Sequence, residues 1–178
     1  SLLLTGGWDS SFRLLQLLHD TDDNIQPLDL VDEKRGSTPK EIEVMRTIRS
    51  DLEAQLPETE DRLLPTDYGS YQATEMEPHH RKAWEALKER GRVGLQYPIL
   101  ASYAEQNGIE RMELSVHAES GGRGFIDSIL ISHAEEKAVH YGEVYQLKNE
   151  NGTVGMFARV TMPLLDHTRH DMQMEAAR

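Results

Sequence analysis

The 178-residue chain contains no cysteine, which excludes disulfides, a cysteine-ligated zinc site and any thiol or persulfide chemistry of its own. Basic residues are in deficit: 19 Lys and Arg stand against 31 Asp and Glu, and the net charge of −12 argues against a nucleic-acid backbone as the main partner. A local basic patch is compatible with that total. No stretch has the roughly 20 apolar residues that a membrane-spanning helix needs, so no membrane partner is expected. No secretory leader opens the sequence, and cytoplasmic residence is the default expectation. Asn151-Gly152-Thr153 has the form of a glycosylation sequon but reads as a turn in a cysteine-free chain without an export signal. An initiating methionine is also missing. The chain begins directly in an expected strand and stops at Arg178 inside an expected helix, so native sequence is expected beyond both ends.

What is present fits one α/β domain over residues 1–178, with 38% hydrophobic and 28% charged residues and no internal repeat. The opening is the most informative segment. Leu2 to Leu4 form an apolar run suited to a buried parallel strand, and Phe12, Leu14, Leu15, Leu17 and Leu18 mark a broad apolar helix face. Between them lies Thr5-Gly6-Gly7-Trp8-Asp9-Ser10-Ser11. The two glycines place no side chain between backbone and ligand, and Asp9 or Ser10 is suited to cap the helix, whose first N–H groups attract an anion. A charge-assisted hydrogen bond to a phosphate oxygen contributes roughly 1.5–3 kcal/mol, against roughly 0.3–1 for the helix dipole, so aligned donors dominate. Neither Gly-x-x-x-x-Gly-Lys-Ser/Thr nor Gly-x-Gly-x-x-Gly occurs.

Further on, Ile25 to Val31 reads as a second strand entered through Pro27. Thr38-Pro39-Lys40-Glu41 has the form of a capping box with proline at the first helical position. The helix it opens keeps Ile42, Met45, Ile48, Leu52 and Leu56 on one face. Arg62 to Thr66 is the expected third strand, followed by a variable connection to about His80. Pro78 to Arg90 and Pro98 to Gln106 are expected helices. Gly108 reads as a helix stop before an alternating fourth strand that ends at His117, where a parallel sheet presents ligands. Glu143 to Leu147 and Thr153 to Val160 bracket Lys148-Asn149-Glu150-Asn151-Gly152 and predict an antiparallel hairpin, an insertion at about 139–163. Its exposed edge is a candidate homodimer contact. A terminal helix is expected after Met172. The fold class is therefore a Rossmann-like open, mostly parallel sheet with helices on both faces, plus the hairpin.

Thr5-Gly6-Gly7-Trp8-Asp9-Ser10 resembles the Ser-Gly-Gly-x-Asp-Ser signature of the PP-loop ATP pyrophosphatases. Threonine in place of the first serine keeps the hydroxyl and adds a methyl group. Met162-Pro163-Leu164 leading to Thr168-Arg169, and Gln96-Tyr97-Pro98-Ile99-Leu100-Ala101 ahead of the fourth strand, are similar in order to the branch that includes 7-cyano-7-deazaguanine synthase. Arg169 stands where that branch has lysine, which turns a point charge into a fork.

The resemblance implies ATP across the carboxyl edge of the sheet, magnesium on its phosphates and a two-step reaction. A small-molecule carboxylate or amide is adenylated with loss of pyrophosphate, and ammonia or another amine donor then displaces AMP. Asp9 points the same way, since a carboxylate beside polyphosphate needs an intervening divalent cation. By position, the backbone of Gly6 and Gly7 with the hydroxyls of Thr5, Ser10 and Ser11 holds the β and γ phosphates, and Asp9 approaches magnesium. Val31 and Asp32 lie near adenine, Arg35 meets phosphate or substrate, and His117, Glu119 and Arg169 complete the set. Asp9 and Arg169 are the catalytic candidates. The deazaguanine synthases carry a cysteine-ligated zinc, which this chain lacks, so the substrate stays open. A non-catalytic ATP or AMP sensor with a vestigial loop is the alternative.

Plainer roles exist for several of these residues. Arg35 lies in a mixed-charge loop, His117 can cap a strand, and Arg169 can pair with Asp166 or Asp171. His79-His80 and His167-x-x-His170 carry metal-ligand types, but neither completes a ligand set.

Overall fold

Parallel pairing begins immediately after Ser1. Strand β1 (Leu2–Leu3) pairs with β2 (Pro27–Val31), Leu2 opposite Pro27 and Leu3 opposite Leu28, and β2 pairs in turn with β3 (Asp67–Ser70). The computed structural model describes residues 1–91, 93–117, 134–139, 142–147 and 154–177. These fall into two compact units, Ser1–Ala73 and Thr74–Arg178. The chain has the expected α/β character: the strands of the first unit pair in parallel, and the second unit has one parallel and one antiparallel pair.

In the first unit, Pro27, Leu28 and Asp29 are buried in succession, and neighbours along a strand face opposite ways, so both faces of the sheet are covered. The covering helices are α1 (Trp8–Asp20) and α2 (Thr38–Gln55). Phe12, Leu14, Leu17 and Leu18 supply the buried stripe of α1, while Leu15 is exposed. Arg62 donates to the carbonyl of Leu18 at 2.9 Å at the end of α1, and Arg49 of α2 donates to that of Leu63 at 3.1 Å.

Two expectations here need correction. The third strand is Asp67–Ser70, not Arg62 to Thr66, of which Leu63 makes one parallel bridge to Ile25. Pro65 has no N–H to give a ladder, and its carbonyl instead accepts from the Gln26 side chain at 2.7 Å. The capping box at Thr38 does not form either. Ser37 is the N-cap, no side chain caps it, and the Thr38 hydroxyl donates to the main-chain oxygen of Asp32 at 2.6 Å. Pro39 still sits in the first helical turn.

The second unit contains α3 (Pro78–Lys88), α4 (Gln96–Gln106) and the parallel pair β4 (Met112–Glu113) and β7 (Val160–Thr161). Gly108, at φ +65°, ends α4 as expected: its N–H bonds the Glu105 carbonyl and the Ile109 N–H reaches back to Ala104 at 2.8 Å. This paired arrangement requires a left-handed residue. The core gathers Leu87, Ala104, Met112, Met156, Phe157, Met162 and Leu164.

The hairpin forms with another partner than expected. Strand β6 (Gly142–Leu147) pairs antiparallel with β5 (Ala134–Val139), and the segment foreseen as its second arm holds a 3-10 turn at Gly155–Phe157. Tyr145 and Met162 still exchange an antiparallel bridge. Met156 and Phe157 are buried, which suits a turn packed into the core and not a two-faced ribbon. The foreseen loop at Lys148 to Gly152 lies outside the described residues. The terminal helix α5 (Arg169–Ala176) starts earlier than expected, because Thr168 and Asp171 form a full capping box ahead of Met172. Among the described residues no helix is long and apolar enough to cross a membrane.

Candidate functional site

The turn between β1 and α1 is held by its own side chains. The Thr5 N–H donates to Ser10 Oγ at 3.3 Å, and the Ser10 hydroxyl donates to the Gly7 carbonyl at 3.2 Å. Ser11 also gives its hydroxyl to that carbonyl, at 2.8 Å, and its N–H at 3.0 Å opens the helical ladder. Ser10 is buried and Gly7 exposed. Gly6 takes φ +68°, and a Cβ there would meet Val44 Cγ1 at 3.2 Å and the Glu41 carbonyl at 3.3 Å. Glycine at 6 thus serves both the left-handed turn and the close approach of α2.

Gly7 is the N-cap of α1, extended at φ −78° and ψ 160°, and no side chain caps it. The N–H groups of Trp8, Asp9 and Ser10 precede the first ladder bond from Ser11. An end left uncapped beside an open glycine has the donor set that phosphate oxygens require. Asp9 is half-buried in the same first turn. One protein carboxylate, with phosphates and waters for the other positions, is a chemically reasonable set for magnesium.

The carboxyl ends of β2 and β3 form the other side of this unit's candidate region. Asp32 accepts from the Lys34 N–H at 3.0 Å and from the Gln72 side chain, and Gln72 in turn accepts from the Glu33 N–H at 3.1 Å. Ser70 donates to Glu33 at 2.5 Å, and this bond, aided by the backbone, holds the Glu33 carboxyl below its usual range. Val31 is half-buried at the end of β2, and its carbonyl accepts from the Tyr71 N–H at 2.9 Å. Asp32 therefore acts as a loop lock through its side chain. Arg35 is ion-paired with Glu41.

Asp29 is the residue that sequence reasoning missed. It is buried on β2, and burial first, then the nearby charge of Glu41, push its carboxyl up to about 6, partly offset by Arg35. A carboxyl poised there exchanges a proton readily near neutral pH. Its signal in the sequence is a lone acid inside the apolar stretch Leu28-Asp29-Leu30-Val31.

The remaining candidates lie in the second unit. His117 is buried just beyond β4, and Arg169 is exposed as the first residue of α5. Glu119 lies outside the described residues. Thr168, beside Arg169, is engaged as the helix cap: its hydroxyl and N–H both bond the Asp171 carboxylate, and Asp171 is held below its usual range by that hydroxyl first and the N–H second.

Comparison with protein-family models gives no match, and comparison with curated protein sequences gives none either.

Proposed function

We propose that the chain binds magnesium ATP through the Thr5 to Ser11 turn and adenylates a small-molecule carboxylate or amide in the cytoplasm, before amine transfer of the deazaguanine-synthase kind. The single observation that carries this reading is the uncapped N-terminus of α1, fixed behind a positive-φ glycine by the Ser10 hydrogen bonds. Its support in sequence is the likeness of Thr5-Gly6-Gly7-Trp8-Asp9-Ser10 to the PP-loop signature.

In this proposal the first-turn N–H groups of α1, with Gly6, Gly7 and the hydroxyl of Thr5, hold the β and γ phosphates. Ser10 and Ser11, whose hydroxyls bond the Gly7 carbonyl, shape the turn. Asp9 faces the divalent ion, and Val31 and Asp32 border adenine. Bound ATP supplies the adenylyl group that activates the substrate oxygen, with pyrophosphate as leaving group and ammonia or an amine as the second nucleophile. The chain's own contribution is orientation and charge neutralisation.

The engagement of Arg35 by Glu41 favours a second reading, in which ATP is held without turnover by a sensor. The deciding experiment is an assay of the full chain with magnesium ATP and candidate carboxylates. Pyrophosphate and AMP that depend on the carboxylate support the ligase. Tight ATP binding without either product supports the sensor. Absence of ATP binding, with Asp9→Ala behaving like the parent, removes both.

A further inference from the structure

His79 and His80 are consecutive in the first turn of α3, and neighbours in a helix normally diverge. Here both imidazoles converge on one atom. His79 Nε2 lies 2.9 Å and His80 Nε2 3.0 Å from Glu105 Oε2 on α4, with the two rings 4.1 Å apart and tilted by 46°. We propose that His79, His80 and Glu105 bind a divalent first-row transition ion of the zinc type, leaving an open coordination position toward the adjoining cavity.

Three observations carry the site. The first is spacing: one ligand atom from each residue lies within 4.8 Å of the other two. Metal bonds of about 2.0–2.1 Å separate neighbouring donors by about 3.3 Å in a tetrahedron and about 2.9 Å in an octahedron, close to the 2.9 and 3.0 Å from the two imidazoles to Glu105. The second is rigidity. The His80 side chain is only 8% exposed and its Nε2 is held against Glu105, so this donor is fixed at the site.

The third is space. A cavity of about 360 Å³ is lined by all three residues together with Met112, Met156 and Arg159. Two imidazoles and one carboxylate are the donor set of open, three-ligand sites, and their remaining positions take water or substrate. Arg159, held by a 3.1 Å bond to the Ile109 carbonyl, brings positive charge to the wall. A small anion such as a carboxylate is therefore the class of ligand that would replace water on the ion. This site stands in the second unit and does not depend on the ATP reading.

The test uses the full chain after treatment with a chelator. Zinc is titrated calorimetrically, and cobalt is added separately as a spectroscopic probe of the coordination sphere. The expected results are one equivalent of zinc and a cobalt visible spectrum. His79→Ala, at a position whose side chain is 59% exposed, and Glu105→Gln should each weaken zinc binding at least about tenfold and alter that spectrum, with the circular dichroism unchanged. A His167→Ala, His170→Ala double variant should bind like the parent. Absence of saturable one-to-one binding overturns the site, as does full affinity in His79→Ala and Glu105→Gln or a loss confined to the His167 and His170 variant. If Glu105→Gln fails to fold, the exposed His79 variant decides the matter alone.

Discussion

Arg35 and Glu41 face each other across the loop from β2 to α2, Nη2 to Oε1 at 2.9 Å, and the same glutamate raises the buried Asp29. Removing the charge with Glu41→Gln is expected to lower the Asp29 pKa from about 6 toward the ordinary aspartate value. The pH titration of its side-chain carboxyl by NMR reads this directly. An unchanged midpoint would show that the glutamate field does not reach Asp29.

Asp29 also sets a pH dependence of stability. Its folded pKa is raised from 3.8 to about 6, so between those values the native chain holds a proton that the unfolded chain has released. Stability from this group is full below about pH 4, falls as pH rises toward 6, and is flat above. The maximal effect is about 3 kcal/mol by linkage, given about 1.4 kcal/mol per unit. Asp29→Asn should flatten this slope, measured by urea denaturation at several pH values. An equal slope in both proteins counts against a raised Asp29.

The two glycines of the turn should respond differently. Gly6→Ala places a side chain at φ +68° and against α2, for an expected loss of about 1–3 kcal/mol in denaturant melts. Gly7→Ala meets only Thr5 Oγ1 at 3.6 Å in an extended conformation and should cost no more than about 1 kcal/mol. On the proposed function it nonetheless weakens ATP binding, read by calorimetry, because its methyl group stands at the phosphate side. Equal ATP affinity in Gly7→Ala and parent would oppose that placement.

Loss of the α5 cap by Thr168→Ala is expected to destabilise the chain by about 1 kcal/mol. Hydrogen exchange should show the change concentrated at the amides of Asp171 and Met172, whose N–H groups bond Thr168. A uniform change along the chain would mean that the cap is coupled to global unfolding.

Where periodicity and covalent constraint agree, the sequence was legible. Leu2 to Leu18 predicted β1, the glycine turn and α1, and Gly108 predicted the end of α4, since that pair of bonds needs a left-handed residue, which favours glycine. Strand β3 was hidden because Asp67-Tyr68-Gly69-Ser70 has turn chemistry, and Gly69, its buried position, offers no apolar side chain to mark a strand face. The partner of β6 was misread because the sequence from Lys148 to Gly152 has turn composition, and local turn chemistry does not decide which strand a segment joins. At the sites, the Thr5 to Ser11 turn was visible as a motif. Asp29 and Glu105 were not, because their roles depend on residues 12 and 26 positions away that only folding brings near.

The hydrogen bonds from Thr5 to Ser10 and from Ser10 and Ser11 to Gly7 have a kinetic consequence. A turn tied to itself already has its receptive shape and needs no rearrangement when an anion arrives. On the proposed function, association with a polyphosphate is then expected to be a single second-order step, with an observed rate that climbs linearly with ligand concentration and reaches no plateau.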